Sequence, residues 1–238
     1  MALRKNVMST HPQDFTLQRE SGAMRDLFVT VAITLGAFAA AAEPPLAPLE
    51  DRVHWVVLAR ELIAVDAASG GEHRAPLGVG ERVLATWADG EIGVARTERR
   101  LLAVTARTGG VHEVRLLIGE QLAAQPQLGD RTALAITTRR ALGFDGGSGN
   151  WVEASLGPRE RVVATAVANH VAALATDRRA LALSPVRGGF FEAPISLHEA
   201  PLQLTATGDL ATLRTRTRLL VFRASTARWN ERAVGLGH

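Results

Sequence analysis

The 238-residue chain has no cysteine, no tyrosine and a single lysine, Lys5. Without cysteine there is no disulfide framework, no thiolate-bound zinc, no iron–sulfur cluster and no thiol nucleophile, so the fold must rest on its core. A bacterial lipoprotein anchor, which needs cysteine at the cleavage site, is excluded as well. The same absences explain an isoelectric point of about 10.7. Almost nothing titrates between about pH 8 and 12, so a small excess of arginine drives the value up. Twenty-seven Lys and Arg against 24 Asp and Glu leave a net charge of only +3, which is no electrostatic footprint for nucleic acid. Abundant Ala, Arg and Gly with scarce Lys fit the codon bias of a GC-rich bacterial genome.

Long apolar runs are also missing, with one exception. Residues 27–42 read LFVTVAITLGAFAAAA, follow Arg25 and end in small residues before Glu43-Pro44-Pro45. A membrane span usually needs about 20 apolar residues. The short, Ala-weighted run has the shape of a secretory signal, with cleavage expected after Ala42. The preceding stretch is polar and mixed in charge, unlike a compact basic start, so Met24 is a candidate initiator. The reading is a leader over 1–42 and an exported domain over 43–238, periplasmic or extracellular, with no stable membrane insertion after cleavage.

What the chain does have is a repeat. Ile63, Leu102, Leu142, Leu181 and Leu220 follow similar charged hairpins and lie 39, 40, 39 and 39 residues apart. Two residues after each anchor stand Val65, Val104, Phe144, Leu183 and Phe222, which share its strand face. The residue between is Ala64, Ala103, Gly143, Ala182 or Val221, so the other face is small and unpolar, and the strand is packed on both sides. Glu81, Glu120, Glu160 and Glu199 recur eighteen residues after an anchor.

Each unit divides into four short strands, in the second unit at about 81–87, 91–97, 100–105 and 111–117. Asp89-Gly90, Gly129-Asp130, Asn169 and Gly208-Asp209 mark the first turns. Thr97 to Arg100, Thr137 to Arg140, Thr176 to Arg179 and Thr215 to Arg218 mark the second, and Gly70, Gly109, Gly149 and Gly188 the third. No helical period is found after the leader. Four strands repeated at this period predict an all-β, five-bladed β-propeller, with blades at about 43–80, 81–119, 120–159, 160–198 and 199–238. An open β-solenoid is the rival, but its coils are shorter and lack three hairpin turns. Pro44, Pro45 and Pro48 fall where the first blade's first strand should lie, so three good strands are expected there. The post-leader length is close to five whole repeats, as suits a closed ring.

Ala64-Val65-Asp66-Ala67-Ala68-Ser69-Gly70 resembles the quinoprotein-type (PQQ-like) propeller repeat, A-x-D-x-x-[ST]-G followed by Trp. Degraded copies run from Phe144-Asp145 to Trp151 and from Thr226 to Trp229. The resemblance implies the blade architecture and does not extend to a bound quinone.

Two sets of residues are candidates for ligand binding. Arg99-Arg100, Arg139-Arg140 and Arg178-Arg179 recur at the second turns, facing the repeated glutamates. Arginine's planar fork suits bidentate pairing with carboxylate, which makes these either interblade staples or a basic ring for an acidic glycan or protein. Trp151 and Trp229 share a repeat phase that suits interblade packing or stacking on sugar, whereas Trp55 and Trp87 have no aromatic counterparts in other units. Histidines do not converge, and no metal site is expected. No G-x-S-x-G, H-E-x-x-H or P-loop is present. Asp89, Asp130 and Asp209 occupy turns where Asp serves the backbone. The expected function is a non-catalytic binding or protein-assembly module without a cofactor, its ligand a protein or a glycan. The alternatives are a lectin-like propeller and a glycosidase-like enzyme.

Overall fold

The computed structural model describes residues 51–196 and 198–234. The leader, Met24 and the three prolines at 44, 45 and 48 lie outside the described residues. Within them every helix or strand element is a strand, and no helix is long and apolar enough to cross a membrane.

The strands form five antiparallel sheets, each a simple meander. Sheet one holds β1 (Val53–Val57), β2 (Glu61–Asp66) and β3 (Glu72–Pro76). Sheet two holds β4 (Val83–Asp89), β5 (Ile92–Thr97), β6 (Arg100–Thr105) and β7 (Val111–Arg115). Sheet three holds β8 (Gln127–Leu128), β9 (Thr132–Ile136), β10 (Arg140–Asp145) and β11 (Asn150–Ser155). Sheet four holds β12 (Val162–Ala168), β13 (Val171–Thr176), β14 (Arg179–Ser184) and β15 (Gly189–Pro194). Sheet five holds β16 (Pro201–Thr207), β17 (Leu210–Thr215), β18 (Arg218–Arg223) and β19 (Arg228–Ala233). One sheet per repeat matches the periodicity, and sheet one shows three strands rather than four.

Sheets stack because their middle strands are apolar on both faces. In sheet four, Leu174, Leu181 and Leu183 point one way and pack with Leu134 and Ala141 of sheet three. Ala173 and Ala182 point the other way and receive Ala211 and Phe222 of sheet five. Large residues of one sheet thus meet small ones of the next, which lets the cores interlock at interior density. Gly143 shows how tight the fit is. A Cβ there would lie 2.9 Å from Phe190 Cζ and 3.0 Å from Leu183 Cδ2, both in sheet four.

Sheet-to-sheet contacts run in sequence order. Arg52 N donates to Gly90 O at 2.9 Å, Glu91 N to Asp130 O at 3.2 Å, Thr132 Oγ1 to Ala168 O at 2.6 Å and His170 N to Gly208 O at 3.0 Å. Among the described residues, no hydrogen bond, ion pair or hydrophobic cluster joins sheet five back to sheet one. The free face of sheet five differs in character from the matching face of sheet four. Where sheet four has fully buried Ala173, Ala175, Ala182 and Ser184, sheet five has Thr212, Arg214, Val221 and Arg223, all in contact with solvent. Polar residues at these positions suit a face that no other described residue covers. Ring closure, which the length invites, is therefore not a feature of the described residues.

Candidate interaction surface

In a meander, the second turns and the sheet-to-sheet connections lie at the same end, and there the Thr-x-Arg-Arg motif has a consistent geometry. Thr137 Oγ1 accepts from the backbone N–H of Arg139 (3.1 Å) and Arg140 (2.9 Å), fixing the turn. Thr97, Thr176 and Thr215 make the equivalent bonds to the last residue of their turns at 3.0, 3.0 and 3.1 Å.

The two arginines of each pair then diverge. The second begins a strand and turns inward. Arg140, only 9% exposed, donates through Nε to Glu120 Oε1 (2.9 Å) and through Nη2 to Glu120 Oε2 (3.0 Å). Its Nη2 also reaches Arg115 O, at the end of sheet two, at 2.6 Å, and Nη1 pairs with Glu153 on β11. Arg100 joins Glu81, Glu113 and Pro76 O in the same way. Arg179 joins Glu160, Glu192 and Ser155 O, and Arg218 joins Glu199, Glu231 and Pro194 O. The carboxylate partners belong to the arginine's own repeat unit, and the contact that crosses between sheets is the one to the backbone carbonyl.

Three of the four repeated glutamates also cap their own connections. The Oε2 atoms of Glu81, Glu120 and Glu160 accept from the backbone N–H of Gly78 (2.8 Å), Leu117 (2.6 Å) and Gly157 (2.7 Å). Burial pushes these three carboxyls up, but the arginine and backbone hydrogen bonds outweigh it and hold them below their ordinary value. At Glu199 the Arg218 hydrogen bonds dominate and pull the carboxyl from 4.5 to about 2.

The first arginine of each pair points outward. Arg99, Arg139 and Arg178 are exposed, and none has a carboxylate partner among the described ion pairs. Arg99 and Arg178 make only long contacts, 3.4 Å each, to the carbonyls of Val79 and Pro158. Those carbonyls sit at the tips of the connections, where Val79 and Ile118 are 97% exposed and Pro158 is exposed at the same repeat phase. Two hollows, of about 580 and 600 Å³, open beside these loops at the joint of sheets one and two and share Leu77, Gly78 and Glu81 on their walls.

The tryptophans serve packing between sheets. The Trp151 indole N–H donates to His112 O of sheet two (3.1 Å), with its ring 5.2 Å from Phe144. The Trp229 indole donates to Phe191 O of sheet four (2.9 Å), with its ring 5.2 Å from Phe222. The Trp55 indole donates to Trp87 O of sheet two (3.2 Å), and Trp87 packs with the Ile92, Val94 and Phe144 cluster. All four rings are half-buried, and they do not gather at one place.

At the opposite end, the Asp-x-x-Ser-Gly turn that carries the quinoprotein resemblance has a local purpose. Asp66 accepts from Ser69 Oγ (2.6 Å) and Ala68 N (3.1 Å), and Asp145 from Ser148 Oγ (2.5 Å) and Gly147 N (2.8 Å). Nearby, burial and the charges of Asp51 and Asp130 push the Asp89 carboxyl up. Among the described residues, no three His, Asp or Glu side chains are placed to hold a metal ion.

One set of residues went unread in the sequence although its signal is there. Eleven positions before each anchor stand Arg52, Glu91, Arg131, His170 and Asp209. Arg52 Nη1 lies 3.4 Å from Glu91 Oε1, and Arg131 Nε lies 3.4 Å from Glu91 Oε2, so charges of alternating sign link sheets one, two and three.

No protein-family model matches the chain, and no curated protein matches it. Similar solved structures include human WBSCR16, at 12% identity and TM-score 0.38, covering 69% of this chain and 56% of that one. The WD40 domain of SCAP from fission yeast aligns at 11% identity and TM-score 0.32, covering 78% and 53%. YCF48 bound to D1 peptide aligns at 14% identity and TM-score 0.33, covering 78% and 66%. The chain spans about half to two thirds of the length of these structures.

Proposed function

We propose that this chain is an exported β-propeller-type binding or assembly module that meets an acidic partner surface through its Thr-x-Arg-Arg end. One observation carries the reading. At three successive sheets, two adjacent arginines are divided between a locked staple and a free, solvent-facing cation. A guanidinium already saturated by two carboxylates and a carbonyl has nothing left to offer a ligand. Arg99, Arg139 and Arg178 keep their forks available for carboxylate. The exposed tips Val79, Ile118 and Pro158 stand at the same end on loops stiffened by their capping glutamates. A rigid surface that alternates cation and apolar tip binds with little ordering cost. The module is taken to be non-catalytic, because the carboxylates of this end are consumed in staples. Export rests on the leader at 1–42.

The test uses a fluorescent polyglutamate probe and the triple variant R99Q/R139Q/R178Q. The variant should melt with the wild type yet bind about tenfold more weakly, since each exposed pair contributes up to about 1 kcal/mol. Equal binding by the two proteins would overturn the assignment. Export is checked separately by N-terminal sequencing of protein recovered outside the cytoplasm, which should begin at Glu43.

A further inference from the structure

We propose that the cavity between the first turns of sheets three and four is a binding site for a small polyanion carrying carboxylate or phosphate groups. It lies at the end opposite the Thr-x-Arg-Arg loops and does not rest on their assignment.

The starting point is the row of residues eleven positions before each anchor. From sheet one to sheet three the signs alternate as Arg52, Glu91 and Arg131, each within 3.4 Å of the next. At sheet four the pattern breaks. Continued alternation would place a carboxylate beside Arg131, and His170 stands there instead. A cavity of about 300 Å³ opens at this break, with Arg131 and His170 both on its wall.

A second guanidinium reaches the same cavity from another sheet. Arg107 belongs to the third turn of sheet two, at a position filled by Ala68, Gly147, Val186 and Ser225 in the other units. It is exposed and has no carboxylate partner among the described ion pairs. Arg131 is engaged only through Nε, which leaves the outer edge of its fork unbonded among the described contacts. The single carboxylate on the wall, Asp145, is buried, and its two oxygens accept from Gly147 N and Ser148 Oγ within its own turn. Two guanidinium groups and an imidazole, supplied by three sheets, therefore face a space large enough for a small molecule, and besides the Arg131–Glu91 pair and the turn-bound Asp145 no carboxylate among the described ion pairs meets them. Arginine forks take planar carboxylate and phosphate oxygens in pairs, which favours a ligand with at least two anionic groups.

The experiment is isothermal titration of the full chain with citrate and, separately, inorganic phosphate, against sodium chloride of matched ionic strength. Saturable binding of citrate or phosphate beyond the chloride control is expected, with the stronger of the two naming the preferred chemistry. R107Q and the pair R107Q/R131Q should weaken it, the pair by about tenfold or more given two lost charge-assisted bonds, while R99Q/R139Q/R178Q should leave it unchanged. R107Q alone keeps the test decisive if loss of Arg131 disturbs the Glu91 pair. No saturable heat with either anion, or equal binding by wild type and R107Q, would overturn the proposal.

Discussion

Replacing Arg140 with Gln and replacing its neighbour Arg139 with Gln are the same chemical change at adjacent positions, yet the structure gives them very different costs. Loss of the Arg140 guanidinium removes two bonds to Glu120, one to Glu153 and one to the Arg115 carbonyl. It leaves Glu120, whose side chain has no solvent exposure, ionised against only Thr137 Oγ1 and Leu117 N. Removing one partner of a buried pair costs about 3–5 kcal/mol because the other charge stays buried without compensation. For a domain of this size, about 2–4 °C of melting temperature accompanies each kcal/mol. R140Q should therefore lower Tm by about 6–20 °C in a calorimetric scan, with a matching fall in urea midpoint at unchanged slope. R139Q touches no partner and should stay within about 0.5 kcal/mol of the parent. The double variant R140Q/E120Q should recover part of the loss, because it removes the stranded charge. Similar Tm values for R139Q and R140Q would refute the division of the pair into staple and free cation.

Acid should loosen the same staples. A carboxylate whose folded pKa is depressed adds stability above its unfolded value and loses it as pH falls towards the folded one. Glu199, lowered from 4.5 to about 2, thus contributes at most about 3 kcal/mol, lost between about pH 4.5 and 2, and urea midpoints for E199Q should vary less with pH there than those of the wild type. Arg159 adopts φ 64°, at the repeat position held by glycine in Gly80 and Gly119, so R159G should relieve left-handed strain and raise Tm by about 1–3 °C. A fall would show that the Arg159 side chain has a stabilising role. Amide exchange should be faster in β18 than in β14, since among the described residues sheet five is covered on one face and sheet four on both. Equal protection would indicate that sheet five is covered on its second face in solution.

The architecture was legible because the repeat makes the sequence redundant. Gly149, Asp145 and Thr137 act within a few residues of themselves, so turn chemistry announces each hairpin before any tertiary contact is known. The small residues between apolar anchors, Ala103, Gly143 and Ala182, announce that a strand is buried on both faces. The candidate site was legible only in composition. Arg139 and Arg140 look alike in the sequence. Their roles separate because Arg140 is the first strand residue and is aimed by the pleat at Glu120, whereas Arg139 sits on the turn and faces water.

The period, the strands, the turn residues and the recurrence of Arg and Glu in four of the five units are legible in the sequence, because each lies within one repeat; that those pairs close inside a unit rather than between units is a result of the assembled sheets. Tertiary structure decided what depends on the neighbouring sheet. It set Trp151 and Trp229 as packing residues, because the carbonyls that take their indole N–H groups lie in the preceding unit. It placed Arg107, Arg131 and His170 around one cavity, although they come from three repeats. It also left the outer face of sheet five uncovered by any other described residue, where Arg214 and Arg223 replace Ala175 and Ser184. A repeat specifies its own hydrogen bonds through short loops, but contacts between repeats depend on how stacked faces meet, and that is fixed only when the sheets are assembled.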